Sequence, residues 1–426
     1  MSGRILRHDV DVCVGEAALS TGRLTFVQDG AREYSAFAYD ASWLAHRMRF
    51  AISPDLPLVA GHVTRRSPTP DDSCFPFAFA DTAPDAWGRR IIARAHAKRR
   101  DEDPDLPPLT AFDYLAAVDD VSRVGALRLK DRNGVFLRSG TRHRTPPLLE
   151  LEHLYAASRA VEAGTETPED LAFLQGKGTS LGGLRPKCTV LEEDGQLALG
   201  KFPSIGDDRA VTRGEVLALA LAQRAGIATA AARIVMVDRT PVSLIHRFDR
   251  RDDGARIPYL SGGSLLQASR REDRAYTELV DALRALSARP AEDIRELWRR
   301  LVFNLLITNV DDHLWNIGVL YAGDGLWELA PAFDLNPFPD KAQESKTWLS
   351  EGSGPITSLE QLLREADYFG LARVDAVAII AEVAGATRTW REVAASSAVG
   401  MSERETDAFR SAFEHRHAQA ARTLST

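Results

Sequence analysis

Two periods of apolar residues organise this chain. From Ile5 to about Asp40 apolar and polar positions alternate in short runs: Val10-Asp11-Val12-Cys13-Val14, Arg23-Leu24-Thr25-Phe26-Val27 and Ala36-Phe37-Ala38-Tyr39. This period of two predicts strands of a small sheet. After Asp85 the period changes to that of a helix, with Trp87, Ile91, Ile92 and Ala95 on one face. The basic run Lys98-Arg99-Arg100 ends this helix before the Pro-rich segment 103–108 and reads as a solvated helix end. The stretch RSGTRHRTPP, 138–147, marks a linker. A helix over 148–163 follows, then a hairpin of Cys188–Leu191 and Leu197–Phe202, a helix over 214–226, and strands over 232–237 and 242–248. Beyond that the pattern predicts helices over 275–288, 291–308, 358–365, 374–384 and 403–421, with 262–264 and the polar stretch 341–354 as loops.

One break in this pattern concentrates the chemistry. Leu297, Trp298, Leu301, Val302, Leu305 and Leu306 form the buried face of a helix, and the apolar period stops at Thr308-Asn309. Asp311, Asp312, His313 and Asn316 come next, before Ile317, Val319 and Tyr321 resume as a strand. The turn Gly323-Asp324-Gly325 predicts a tight hairpin whose second strand, Leu326–Leu329, leads to Asp334. Asp311 and Asn316 have the spacing of the base and the amide metal ligand in a protein-kinase catalytic loop, and Asp334 stands where a second metal carboxylate is needed. In phosphoryl transfer the protein mainly positions Mg²⁺, nucleotide and acceptor hydroxyl, which suits this set. The competing reading is that Asp311 and Asn316 cap helices or turns.

A glycine-rich stretch precedes the hairpin of 188–202. Gly176 to Lys187 reads GKGTSLGGLRPK, and its glycines let backbone N–H groups approach phosphate oxygens, although surface turns share that composition. Lys201 sits on the following strand, where a kinase places the lysine that pairs with the α- and β-phosphates. Glu215, at the start of the next helix, is a candidate ion-pair partner for Lys201; favouring the helix N-terminus is the other reading.

Composition excludes several classes. With 44% hydrophobic and 27% charged residues, 426 residues suffice for two or three globular domains. A net charge of −7 disfavours a dominant nucleic-acid surface, so DNA contact is expected only through a partner. Cys13, Cys74 and Cys188 are widely separated and lack metal-ligand spacing, which predicts buried thiols in a reduced cytoplasm. The N-terminus lacks a signal-peptide core, and the most apolar stretch, 216–237, is interrupted by Gln223, Arg224 and Arg233, so no membrane span is expected.

The motifs DDHLWN (311–316) and APAFDLNP (330–337) resemble those of the HipA family of bacterial serine/threonine kinases, the toxins of HipA–HipB toxin–antitoxin pairs. FAYDASWL, FAFADTAPDAWGRRIIAR and SRVGALRLK resemble the N-terminal part of the same family, in the same order, and RFDR (247–250) its junction segment. The resemblance implies an α+β, protein-kinase-like two-lobed fold. Its parts would be a β-rich N-terminal subdomain (1–140), a nucleotide-binding part (148–250) and a helical C-terminal lobe carrying the catalytic loop (251–426). It makes Asp311 the catalytic carboxylate, Asn316 and Asp334 the Mg²⁺ ligands, and Lys201 the nucleotide lysine. Ser180, Gly182, Gly183 and Lys187 would form the phosphate loop, with Ser180 open to autophosphorylation. Phe248 would line the adenine site, with His246 where some members carry a hinge glutamate. His313 belongs to the D-x-H pattern and is expected at the ATP site, more as a loop brace than as a proton carrier. Asp312 stands where some relatives carry glycine. The cofactors implied are ATP and Mg²⁺. The implied partners are a HipB-like DNA-binding antitoxin and a protein substrate in translation, such as an aminoacyl-tRNA synthetase. A metal-dependent phosphohydrolase built on Asp-Asp-His, or a non-catalytic co-repressor that keeps only the fold, are the alternative readings.

Overall fold

The computed structural model describes residues 5–67, 69, 71–138, 146–175, 183–342 and 344–424. They form two compact units, the first comprising Met1–Ile205, Asp249–Leu260 and Ser269–Arg271, the second Gly206–Phe248, Ser261–Ala268 and Glu272–Thr426.

The first unit is built on an antiparallel sheet of β1 (Leu6–Val14), β2 (Leu19–Asp29), β3 (Arg32–Tyr39), β4 (Val63–Arg66) and β5 (Leu127–Lys130), in the order β4-β3-β2-β1-β5. The alternation read from sequence is the alternation of faces: Val10, Val12, Leu24, Phe26 and Phe37 are buried. Phe26 packs on Phe75 and Phe112, each with ring centroids 5.8 Å away. Helices α1 (Ala41–Ala45), α2 (Phe77–Asp81), α3 (Ala86–Glu102) and α4 (Ala111–Ala117) follow the early strands, and α5 (Leu151–Ala163) and α6 (Pro168–Leu174) come later. Thr110 and Thr167 open α4 and α6 through capping boxes with Asp113 and Asp170. The linker expected over 138–147 lies mostly outside the described residues. The hairpin of β6 (Lys187–Leu191) and β7 (Leu197–Lys201) sets Lys187 directly opposite Lys201. All three cysteines are buried thiols.

Asp249 and Arg250 of the RFDR segment clamp the SRVG segment within this unit. Gly125 N–H donates to Asp249 Oδ2 at 2.7 Å, while Arg250 donates to the carbonyls of Arg123 at 2.9 Å and Gly125 at 3.1 Å. Arg123 is itself buried and donates to the carbonyls of Leu115 and Val118, each at 3.0 Å. Two motifs far apart in sequence are thus one structural feature.

The second unit contains α7 (Val211–Arg224) and the hairpin of β8 (Ala232–Val237) and β9 (Thr240–His246). After the strand β10 (Tyr259–Ser261), whose first two residues belong to the first unit, the one-turn helix α8 (Gly262–Leu265) leads to α9 (Tyr276–Leu286) and the long α10 (Pro290–Leu306). The expected hairpin is β11 (Gly318–Gly323) and β12 (Leu326–Leu329), its turn formed by Gly323, Asp324 and Gly325, all at positive φ. A second hairpin, β13 (Trp348–Ser350) with β14 (Gly354–Pro355), lies in the stretch read as loop, so the helical part is not helical throughout. Helices α11 (Leu359–Arg364) and α12 (Arg373–Thr387) match the periods read from sequence, whereas α13 (Trp390–Ala395) was not expected from it. The single helix expected over 403–421 is three: α14 (Glu403–Ala408), α15 (Arg410–Phe413) and α16 (Arg416–Leu424). The chain leaves helical geometry at Phe409 and Glu414, which turns Phe409 and Phe413 into the core, where Phe413 stacks on Trp390 at 4.7 Å.

Candidate active site

The second unit builds the catalytic-loop candidate from the end of α10. Leu297, Trp298, Leu301, Val302, Leu305 and Leu306 are all buried, which fixes this end of the helix. Thr308 then takes a left-handed conformation, φ +54°, rare for a β-branched residue and costing about 1–3 kcal/mol. Its surroundings hold it there: the hydroxyl donates to the Ala412 carbonyl at 3.1 Å, and its own carbonyl accepts from Phe338 N–H at 3.1 Å. Asn309 N–H returns to the Asn304 carbonyl at 2.8 Å, closing the helix end.

The loop that follows separates the two adjacent aspartates. Asp311 lies toward solvent, its side chain 37% exposed, with the Lys346 ammonium hydrogen-bonded to Oδ1 and His313 Nε2 at 3.9 Å. Asn316 folds back so that its Nδ2 donates to the Asp311 carbonyl at 2.9 Å, turning the other end of the amide, Oδ1, away from that bond. Asp312 points inward. It accepts from the Tyr276 hydroxyl at 2.8 Å and from Lys346 N–H at 2.7 Å, and its carbonyl accepts from Thr347 Oγ1 at 2.8 Å. Burial pushes its carboxyl up to about 6, against the pull of these hydrogen bonds. Burial and the Asp312 charge in turn push the Tyr276 hydroxyl well above its ordinary value.

Asp334 arrives from the hairpin. Ala332 is fixed by Ala230 N–H donating to its carbonyl at 3.0 Å and by its own N–H donating to Ala228 at 2.7 Å. Phe333 is buried against Phe248, with ring centroids 5.3 Å apart, so Phe248 lies one residue from the metal-carboxylate candidate. Asp334 has φ +54°, and its Oδ1 accepts from Asn336 Nδ2 at 3.1 Å. Asn336 N–H donates to Asn309 Oδ1 at 3.4 Å, and Phe338 to Thr308, which ties the Asp334 segment to the residues that open the loop. The structure therefore joins Asp311, Asn316, His313, Asp334 and Phe248 through adjoining segments of one unit.

Asn316 and Asp334 offer oxygen donors, the kind a hard cation such as Mg²⁺ takes, and Mg²⁺ needs only one or two protein carboxylates because it keeps water and phosphate ligands. Among the described residues no group of three or more His, Cys, Asp or Glu side chains gathers as a metal cage. The Asp311-Asp312-His313 trio does not converge, because Asp312 is turned to Tyr276 and the Lys346 backbone.

The remaining candidates divide between the units. Ser180 and Gly182 lie outside the described residues. Gly183 has φ +101°, and its carbonyl accepts from Trp87 N–H at 3.4 Å. Lys187 is buried and pairs with Asp85 at 2.9 Å, where Asp85 also caps α3 by accepting from Gly88 N–H at 2.7 Å. Burial pushes the Asp85 carboxyl up, against the Lys187 ammonium and, more weakly, that of Lys201. Lys187 thus ties the start of β6 to the N-terminus of α3. Lys201, opposite it on β7, is buried in the first unit, and Glu215 is buried on α7 in the second.

The HipA N-terminal domain family matches residues 11–130, and the HipA-like C-terminal domain family matches residues 179–390. A chain of the HipA–HipB–operator DNA toxin–antitoxin complex of Shewanella oneidensis superposes with a TM-score of 0.67 at 19% identity, covering 98% of this chain and 95% of that one. This chain belongs to the HipA family. Its α+β, kinase-like fold is the one expected from the sequence. A curated relative, the putative kinase Y4mE of Sinorhizobium fredii, is 27% identical over 321 residues, covering 70% of this chain and 71% of its own length. The proinflammatory kinase CtkA of Helicobacter pylori is more distant, with a TM-score of 0.45 at 16% identity, covering 57% of this chain and 93% of that one.

Several residues around this HipA-family loop escaped the sequence reading. Lys346 reaches Asp311 from 35 positions along, and Tyr276 reaches Asp312 from 36, so no local spacing announces them. Gly262 and Gly263, read as loop punctuation, lie against the loop: a Cβ on Gly262 would meet the Leu314 carbonyl at 2.9 Å, and one on Gly263 the Trp315 ring at 2.6 Å. The paired glycines were the available signal for a close backbone approach.

Proposed function

We propose that this chain is an ATP- and Mg²⁺-dependent serine/threonine protein kinase, the toxin half of a bacterial toxin–antitoxin pair. The observation that carries this reading is the catalytic-loop geometry. Asp311 is presented to solvent, Asn316 is locked back onto its carbonyl, and the Asp334 segment is hydrogen-bonded to the residues that open the same loop. In this reading Asp311 accepts and orients the substrate hydroxyl, while Asn316 Oδ1 and the Asp334 carboxylate hold Mg²⁺. Bound Mg²⁺ supplies positive charge that offsets the charge developing on the phosphate oxygens. Lys201 pairs with the α- and β-phosphates and Glu215 is its ion-pair partner, Phe248 lines the adenine site, and His313 braces the loop. Ser180, Gly182 and Gly183 form the phosphate loop, Lys187 anchors it, and Ser180 is the autophosphorylation site. The parts 1–140, 148–250 and 251–426 would serve as N-terminal subdomain, nucleotide-binding part and catalytic lobe.

The Shewanella relative was solved with HipB and operator DNA, which supports a HipB-like antitoxin as partner here. A net charge of −7 suits an acidic toxin that meets DNA only through a basic partner. The substrate we expect by family analogy is a cytoplasmic translation protein, such as an aminoacyl-tRNA synthetase. Among the described residues no helix is long and apolar enough to cross a membrane.

The test is expression of wild type and Asp311→Asn at equal level, with growth and the phosphoproteome followed together. Growth arrest and new phosphoserine or phosphothreonine sites with wild type alone support the reading. Equal arrest by both proteins, or no phosphosite that depends on Asp311, would overturn it.

A further inference from the structure

Lys346 brings a charged group onto the Asp311 carboxylate. Its ammonium is hydrogen-bonded to Asp311 Oδ1 while its side chain remains 58% exposed. The backbone that carries it is held from several sides. Lys346 N–H donates to the buried Asp312 carboxylate at 2.7 Å, Thr347 Oγ1 to the Asp312 carbonyl at 2.8 Å, and Trp348 N–H to the Arg274 carbonyl at 3.0 Å. Ser345 Oγ accepts from Ile356 N–H at 2.7 Å, which joins this segment to the residue that follows β14. One side of the loop, the inward-pointing Asp312, therefore fixes the strap that delivers a cation to the other side, the outward-pointing Asp311.

Position decides what this cation can do. If Asp311 orients the acceptor hydroxyl, the acceptor oxygen lies one hydrogen bond from the carboxylate, and the phosphorus being transferred is joined to that oxygen in the transition state. A cation already hydrogen-bonded to Asp311 is then within about two hydrogen-bond lengths, some 6 Å, of the equatorial phosphoryl oxygens. A lysine stem spans that distance by rotation about its own bonds. We infer that Lys346 is a catalytic residue of the phosphoryl transfer: its ammonium moves from Asp311 onto the phosphoryl group in flight and stabilises the charge spread over that group's oxygens. The acceptor O–P bond forms as the bond between phosphorus and the nucleotide's bridging oxygen breaks. The hydroxyl proton passes to Asp311, and the leaving charge stays on the nucleotide diphosphate. Lys346 keeps its own proton throughout.

This inference rests on the kinase reading, and the experiment separates the two. Transfer of phosphate from ATP–Mg²⁺ would be measured for wild type, Lys346→Ala, Lys346→Met and Lys346→Arg, each with its nucleotide affinity and melting curve. Because Lys346 is exposed, all three variants are expected to melt with wild type. The expected result is a fall in kcat of at least about tenfold in the Ala and Met variants, with nucleotide affinity within about twofold and partial recovery in the Arg variant. A wild-type kcat in the Ala and Met variants, or a loss confined to nucleotide affinity, overturns the role of Lys346 while leaving the kinase reading intact. A wild-type protein that transfers no phosphate overturns the kinase reading itself.

Discussion

Replacing Asp312 by Asn should stabilise this protein near neutral pH, by an amount the structure sets. The Asp312 carboxyl is buried, and burial raises it from the ordinary 3.8 to about 6. Between those values the folded chain binds a proton that the unfolded chain has released, so stability falls as pH rises through the window and the loss is complete above about pH 6. At 1.36 kcal/mol per decade the full loss is about 3 kcal/mol, of which about 2 kcal/mol falls between pH 4.5 and 7.5. An Asn side chain fits the same network. Its oxygen keeps the Lys346 N–H, and its NH₂ donates to the Tyr276 oxygen, whose own proton turns to the Asp312 carbonyl, already 2.9 Å away. The second amide N–H has no acceptor among these groups, which offsets part of the gain without changing its dependence on pH. Urea denaturation followed by tryptophan fluorescence, at pH 4.5 and 7.5, measures the difference between Asp312→Asn and wild type. That difference should favour the variant and grow with pH by about 2 kcal/mol. A variant less stable than wild type at pH 7.5, or a difference that does not change with pH, would refute the reasoning.

Two further outcomes follow from the first unit. Asp85→Ala leaves the Lys187 ammonium buried without its 2.9 Å partner and removes the cap of α3, so a loss of about 3–5 kcal/mol is expected. Thermal melting would show it, and the double replacement Asp85→Asn with Lys187→Met should recover most of the loss; an unchanged melt would contradict the pair's role. Lys201→Ala should abolish most of the thermal stabilisation given by ATP with Mg²⁺, and chelation with EDTA should do the same to wild type. Stabilisation by nucleotide that survives both changes would place ATP elsewhere.

Much of the fold was readable because its elements are amphipathic at local periods. The alternation in β1 to β3 and the buried stripe of α10 each follow from residues within a few positions of one another. The same locality made Asp311 and Asn316 legible, since they stand five positions apart and a single bond from Asn316 Nδ2 to the Asp311 carbonyl fixes their relation. What periodicity could not supply was the direction of each polar side chain. Asp311 and Asp312 are neighbours of identical chemistry, yet one faces solvent and the other is buried beneath Tyr276 and the Lys346 backbone. The helix expected over 403–421 broke because burying Phe409 and Phe413 against the core outweighed the regular helix the local pattern allowed. Lys187 carried the composition of a phosphate ligand, and only packing against α3 revealed its partner in Asp85. The sequence by itself determined the strands β1 to β3, the buried stripe of α10 and which short loop carries acids and an amide, because those follow from neighbours along the chain. Tertiary structure alone decided which charge faces water and which cation meets Asp311, because those depend on residues brought together from 35 or more positions apart, where burial and pairing set the energy.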